Sequence, residues 1–171
     1  MIAIERIRSD DVDRYRDIRL RALENAPSAF ATTLEEAAGF PDQVWRKRVT
    51  DASTGPDSTL YLAVDEAGED VGMVASIRNA VEPSTAELIS MWVAPSARRS
   101  GAGAALVRQV LDWASESGYR NVELWVVRGN DSAERLYRKL GFTETGDIKA
   151  LPSDPCLSEL RMRLELPVQT S

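Results

Sequence analysis

The sequence predicts a mixed α/β (α+β) fold, a sheet of six to seven strands flanked by about four helices, on three observations. Two apolar runs, Thr85 to Val93 and Asn121 to Val127, bracket an amphipathic helix from Gly101 to Ser117, the order that yields a parallel strand pair joined by a right-handed crossover. Leu60 to Val64 and Val71 to Ile77 are short β runs either side of the turn Asp65 to Asp70, which reads as an antiparallel hairpin. No repeat and no dividing linker interrupts the chain, so residues 1–166 read as one domain followed by an unstructured tail, 167–171.

Each element has a local reason. Ile2, Ile4 and Ile7 alternate with polar residues as a first strand, and Ser9-Asp-Asp offers a cap for a helix from Asp11 to Glu24. That helix carries an apolar stripe of Val12, Tyr15, Ile18, Leu20 and Leu23 between arginines at 14, 16, 19 and 21 that read as exposed, and Asn25-Ala-Pro27 stops it. Ser28 to Phe40 has weak periodicity; Pro41 then opens a second helix, Asp42 to about Thr50, and Asp51 to Ser58 reads as a loop. Gly72 marks a bulge within its strand. Gly118 closes the long helix, Asp131 or Ser132 caps a further short helix that Gly141 ends, and Phe142 to Thr145 and Leu157 to Leu166 are final strands around a loop from Gly146 to Pro155.

Composition removes several kinds of chemistry. The chain has no histidine and one cysteine, Cys156, so it has no Ser-His-Asp or Cys-His device, no imidazole-based metal site and no intrachain disulfide. Without a histidine to activate it, Cys156 has little claim as a nucleophile. The formal charge of −6 speaks against a nucleic-acid binder and for a cationic partner or simple solubility. Neither a signal peptide nor a run of roughly 18–20 apolar residues is present, so a cytoplasmic location without membrane attachment is expected.

The chemistry concentrates in Glu87 to Leu106, where an apolar strand passes through a short basic loop into a helix opened by Gly101 and Gly103. Unpartnered N–H groups and the macrodipole at a helix start suit a phosphate, and glycines let it approach the backbone. Arg98 and Arg99 add donors fitted to phosphate oxygens. A dinucleotide fingerprint needs a glycine where Leu106 stands, and a nucleotide P-loop needs Gly-Lys-Ser/Thr, which is absent. The surviving pattern, Val93-x-Pro95-x-x-Arg98-x-x-Gly101-x-Gly103-x-x-Leu106, resembles the acyl-CoA-binding motif of the GNAT superfamily of N-acyltransferases. Asn130-x-x-Ala133-x-x-Leu136-Tyr137-x-x-Leu140-Gly141-Phe142 is similar to that superfamily's second hallmark.

The resemblance implies the GNAT fold and acetyl transfer from acetyl-CoA, as co-substrate and without a metal, to a primary amine by direct attack in a ternary complex. It places Ser100, Gly101, Ala102, Gly103 and Ala104 with Arg98 and Arg99 around the pyrophosphate, Arg98 matching the motif's polar position more closely. Met91, Trp92 and Val93 lie along the pantetheine arm, and Asn130, Ser132, Ala133 and Tyr137 on its other side. Tyr137 is implied as the acid that protonates the departing thiolate, and Glu87, fourteen positions before Gly101, as the base for the amine, directly or through water. Phe30, Glu35, Glu36 and Phe40 fall in the region that lines the acceptor side in the family. Each residue also has a plainer reading: core packing for Tyr137, Phe30 and Phe40, a solvated face for the glutamates, a turn for Asn130. Transfer of another acyl group, action on a peptide or protein amine, and a non-catalytic acyl-CoA-binding module of the same fold remain open, as does a homodimer, common in the family.

Overall fold

The structure, a computed structural model, describes residues 1–168. Strand β1 (Ala3–Arg6) leads into α1 (Val12–Asn25), α2 (Leu34–Ala38) and α3 (Asp42–Thr54), followed by β2 (Ser58–Val64), β3 (Asp70–Arg78) and β4 (Thr85–Val93). Helix α4 (Ala102–Glu116), β5 (Asn121–Val127), α5 (Asp131–Lys139), β6 (Thr143–Leu151) and β7 (Asp154–Glu165) complete the chain. All seven strands form one sheet in the order β1-β2-β3-β4-β5-β7-β6, parallel only between β4 and β5.

The expected mixed fold is therefore present, with five helices rather than about four. The additional one, α2, sits in the segment whose periodicity is weak; a capping box makes it, the Thr33 side chain accepting from the Glu36 N–H and the Glu36 carboxylate from the Thr33 N–H. Helix α3 runs to Thr54 instead of ending near Thr50, because Ala52 is buried and Lys47 and Asp51 pair one turn apart at 2.9 Å. The long loop expected from Gly146 to Pro155 is mostly strand, with only Pro152 and Ser153 outside β6 and β7. Strand β6 is exposed along all but Leu151, so its residues carry no apolar alternation and pairing with β7 holds it. Asn130, rather than Asp131 or Ser132, caps α5, its Oδ1 accepting from the Ala133 N–H at 3.4 Å. Of the expected tail, residues 169–171 lie outside the described residues.

Helices cover the central strands. The α4 face of Leu106, Val107, Val110, Trp113 and Ala114 is buried against the sheet, while α1 and α3 bring Tyr15, Ile18, Leu23, Trp45 and Val49 into the same continuous core. Arg14 anchors α1 to the start of β3 with a two-pronged contact to Asp70, at 2.7–3.0 Å, which holds its guanidinium charge well above the ordinary value. Gly72 does stand beside a bulge: Ala63 faces Gly72 and Val64 faces Asp70, leaving Val71 as the extra residue.

At Gly72 the constraint is space. An added Cβ would lie 3.1 Å from Leu106 Cδ1, 3.1 Å from the Trp92 carbonyl oxygen and 3.3 Å from Ala63 Cβ. Because one of these neighbours is backbone, Gly72→Ala should destabilise by about 1–3 kcal/mol through overpacking. In thermal melts that corresponds to a fall in Tm of roughly 2–12 °C for a chain of this size; an unchanged midpoint would show that α4 and β3 can separate freely.

Candidate active site

Strands β4 and β5 pair only from Thr85–Asn121 to Leu88–Leu124, although both continue for several residues. Past Leu88 they diverge, and among the described residues that edge of β4 has no strand partner. At the same point β4 is bulged: Ile89 faces Ala75 and Trp92 faces Met73, so Ser90 and Met91 oppose the single residue Val74. Ser90 takes φ = +57°, uncommon for a residue with a side chain.

The bulge changes which way β4 presents its side chains. Before it, Glu87 and Ile89 continue the rows Ser58–Ile77 and Leu60–Ala75 on the face covered by α1 and α3. After it, Met91 and Val93 point toward α4, where their side chains lie 3.4 and 3.8 Å from where a Cβ on Gly103 would stand. Trp92 turns back to α1, its Nε1–H donating to Asn25 Oδ1 at 3.1 Å. Two cavities result, one on each side of the divergence, sharing Ala29, Leu88, Ile89, Ser90 and Trp125 as common wall.

The first cavity, about 590 Å³, runs between the open edge of β4, the start of α4, and α5. Met91, Trp92, Val93, Arg98, Arg99, Gly101, Gly103, Ala104, Asn130, Ser132, Ala133 and Tyr137 line it. Among the described residues the N–H groups of Gly103 and Ala104 have no protein acceptor, whereas that of Ala102 is capped by Ser100 Oγ at 3.3 Å. Ser100 and Ala102 thus shape the turn without lining the cavity. Arg98, also exposed, donates to the Val93 carbonyl and to Asn25 Oδ1, both at 3.3 Å; Arg99, in a left-handed conformation at φ = +67°, is exposed with no side-chain partner among the described residues. The freer cation is therefore Arg99, not the residue matching the motif's polar position. Glycines, free N–H groups and a cation at one end, with an unpaired strand edge beyond them, suit a long ligand carrying a phosphate and amides. Tyr137 is buried against Phe142 with ring centroids 5.8 Å apart, and burial pushes its phenol well above the ordinary value, so it stays protonated.

The second cavity, about 500 Å³, lies beneath α1 and α3 and carries charges of both signs. Glu87 lines it, half-buried, and so does Glu159, which is buried on β7 and lies 3.9 Å from Lys149. Burial raises the Glu159 carboxyl above the usual range; Lys149 opposes the shift and the charge of Glu87 adds to it. Glu123, in register with Glu87 on the neighbouring strand, is different: Arg161 and Arg163 neutralise it at 3.3 and 3.2 Å. Of the four residues expected on the acceptor side, only Phe30 lines the cavity. Glu35 and Glu36 occupy the exposed first turn of α2, Glu36 closing the capping box, and Phe40 is turned onto Trp45 at 5.7 Å.

Several residues of this cavity escape the sequence reading. Arg19, grouped there with exposed arginines, is only 6% exposed. It follows Tyr15 by four positions and precedes Leu23 by four, on the buried stripe of α1, and that spacing is the signal that marks it. Arg48 and Trp125 follow from the elements that carry them; Lys149 and Glu159 sit on β6 and β7, where polar sequence conceals the pairing. Cys156 is exposed and lines neither cavity.

Comparison with known proteins bears on this geometry. A sequence model described as the acetyltransferase (GNAT) family matches residues 19–142. The chain is 26% identical over 150 residues to an uncharacterized N-acetyltransferase of Methanocaldococcus jannaschii, covering 85% of this chain and 62% of the relative. It is 35% identical over 136 residues to a mycothiol acetyltransferase of Pseudarthrobacter chlorophenolicus, covering 78% of this chain and 39% of the relative. The chain thus spans less than two thirds of the length of either relative. A solved GNAT-family acetyltransferase of Streptococcus pneumoniae has the same fold, with a TM-score of 0.82 at 17% identity over 98% of this chain and 100% of that one. Among the described residues no helix is long and apolar enough to cross a membrane, and no group of histidine, cysteine and acidic side chains is arranged to hold a metal.

The raised carboxyl of Glu159 has a measurable consequence. A folded state that binds this proton more tightly than the unfolded chain gains stability below the unfolded carboxylate value, about 4.3, and loses it as pH rises through the folded value. Glu159→Gln removes that term, so its Tm relative to the parent should be higher at pH 8 than at pH 4. Melts across this range check the sign; a difference that grows toward acid contradicts the assignment.

Proposed function

The chain belongs to the acetyltransferase (GNAT) family, and on that premise we propose that it transfers an acetyl group from acetyl-CoA to a primary amine by direct attack within a ternary complex. The observation that carries this reading is the meeting of the two cavities at Ser90, with Tyr137 on the wall of one and Glu87 and Glu159 on the wall of the other. A donor with a phosphate end and an amide-bearing arm suits the first cavity. An amine in the second approaches its thioester across the bulge.

The residues divide the chemistry. Gly103, Ala104 and Arg99 bind the pyrophosphate, and the open edge of β4 at Met91 and Val93 takes the pantetheine amides as a missing strand would. With Arg98 bonded to the Val93 carbonyl, the backbone contacts fall to the remaining groups of that edge, which also supply donors for the oxyanion. As the amine nitrogen bonds to the carbonyl carbon, Glu87 accepts its proton, directly or through water, and Glu159 is a second candidate because burial makes its carboxylate more basic than an ordinary one. Collapse of the tetrahedral intermediate breaks the carbon–sulfur bond, and Tyr137, kept protonated by burial, supplies the proton to the departing thiolate. Asn130 uses its Oδ1 to cap α5, leaving its amide nitrogen to contact the arm.

A CoA-release assay with acetyl-CoA and a broad amine panel, including peptides, tests the reading, and longer acyl-CoAs test the acyl group. Binding of acetyl-CoA without release across the panel would instead identify a non-catalytic module.

Two substitutions resolve the roles. Tyr137→Phe should lower kcat by about 100-fold or more, in the range of a general acid, while the acetyl-CoA Kd stays within roughly two- to threefold; an unchanged kcat removes Tyr137 from the mechanism. Glu87→Gln should lower kcat/KM for the amine at pH 7 by at least about 10-fold. An undiminished rate transfers the role to Glu159 or to water.

A further inference from the structure

The cavity beneath α1 and α3 contains more positive charge than amine binding requires, and two of its cations lack counter-ions. Arg19 is 94% buried, yet among the described residues no carboxylate lies within 4 Å of its guanidinium. Among the described residues the only hydrogen bond of its side chain is from Nη1 to Ser90 Oγ at 2.9 Å, and its buried Nε–H has no acceptor. Arg48, across from it on α3, has neither an ion pair nor a hydrogen bond among the described residues. Aromatic faces hold both instead: Arg19 lies over Phe30 at 4.7 Å and Arg48 over Phe40 at 4.9 Å. Stacking fixes the plane of a guanidinium while leaving its charge and edge donors unspent. A buried donor without an acceptor is costly unless a ligand supplies one.

The acids of the cavity are committed elsewhere or face the other wall. Asp51 pairs with Lys47 at 2.9 Å, and Glu159 lies beside Lys149, which sits over the Trp125 ring at 4.3 Å. Three cations, Arg19, Arg48 and Lys149, therefore share the lining with three acids, Asp51, Glu87 and Glu159. Arg19, Arg48 and Asp51 come from the helices, and Glu87, Glu159 and Lys149 from the sheet, so the helix side carries a net positive charge and the sheet side a net negative one.

We propose that the amine acceptor also carries a carboxylate close to its amino group, Arg19 and Arg48 taking the carboxylate while Glu87 and Glu159 receive the amine. A zwitterion adds one charge of each sign to a balanced lining, whereas a simple amine leaves both arginines without an anion. Arg19 reaches Ser90, the residue at the junction of the two cavities, so the carboxylate it binds is only a few atoms from the reacting nitrogen. Amino-acid-like amines are the substrate class that meets this description. The proposal rests on the reading of the chain as an N-acetyltransferase.

The experiment is a paired panel: amino acids against the amines formed by removing their carboxyl group, such as L-tyrosine and tyramine, L-lysine and cadaverine, β-alanine and ethylamine. O-Phosphoethanolamine provides a phosphate of similar reach. For the preferred pair, kcat/KM with acetyl-CoA should favour the acid by about 10–100-fold, the worth of one charged hydrogen-bonded contact. Arg48→Gln should reduce that ratio by about 10-fold, and Arg48→Lys should restore part of it. Arg48 is the better probe because Arg19 also braces Ser90.

Equal rates within every pair, or preference for the phosphate, overturn the proposal while leaving acetyl transfer standing. So does a fall in Arg48→Gln that is the same for acids and amines, which is the result expected of a merely structural residue. Binding, followed by tryptophan fluorescence with CoA present, reads the site without turnover. Tighter binding of acids that weakens in Arg48→Gln, with no member acetylated, would sustain the carboxylate site and refute the transferase reading.

Discussion

The extra residue in β4 is the constraint on which the rest of the site depends. A strand of regular pleat sends alternate side chains to one face along its whole length, so Glu87, Ile89, Met91 and Val93 would share a surface. Inserting Ser90 reverses that assignment halfway: Glu87 and Ile89 remain under α1 and α3, and Met91 and Val93 turn to α4. One strand thereby forms the floor of two cavities on opposite faces of the sheet. The same residue stands where pairing with β5 has already stopped, so the passage between the cavities opens at the bulge.

A left-handed residue with a side chain persists only when its surroundings overdetermine it. For Ser90 they do so from both sides: the β3 ladder resumes in full register at Trp92, and Arg19 holds the hydroxyl from α1. The other such residue among the described ones, Arg99, lines the cavity at the start of α4 just ahead of Gly101, so both lie at the proposed site and neither in the remainder of the sheet. This distribution is the expected one when backbone strain serves ligand placement. Arg19 also couples the acceptor wall to the backbone that would face the thioester, since one guanidinium touches the bulge and lies over Phe30.

How much of this was legible in the sequence follows from what periodicity can register. Strands buried on one or both faces, and the amphipathic α4, announce themselves through apolar spacing, and β4, α4 and β5 lie where that spacing places them. The cavity at the start of α4 was equally legible because glycines and a helix start leave a local signature. Strands β6 and β7 were shortened because an exposed, polar strand at the sheet edge is held by its ladder, which no single segment encodes. The cavity beneath α1 and α3 was the least legible: its residues come from α1, α3, the segment before α2 and six strands, and a charged residue on a buried stripe, such as Arg19, differs from a surface arginine only by its phase along the helix. Glu35 and Glu36 illustrate the converse, acidic residues near the cleft in sequence that a capping box commits to the start of α2.

Net charge and local charge lead to different expectations about the partner, and the local arrangement is the more specific of the two. The overall −6 acts through solvent and is screened beyond roughly 8–10 Å at ordinary ionic strength, so it affects encounter with any cation and selects none. Inside the cavity the charges are close, partly desolvated and fixed in position, where each interaction is several times stronger than at the surface. Two guanidiniums held by aromatic faces cannot relax toward an acid without leaving their stacks, and Glu159 cannot leave its strand to neutralise them. The folded chain therefore carries an electrostatic cost that it does not relieve internally, a cost best explained when the missing anion arrives with the substrate.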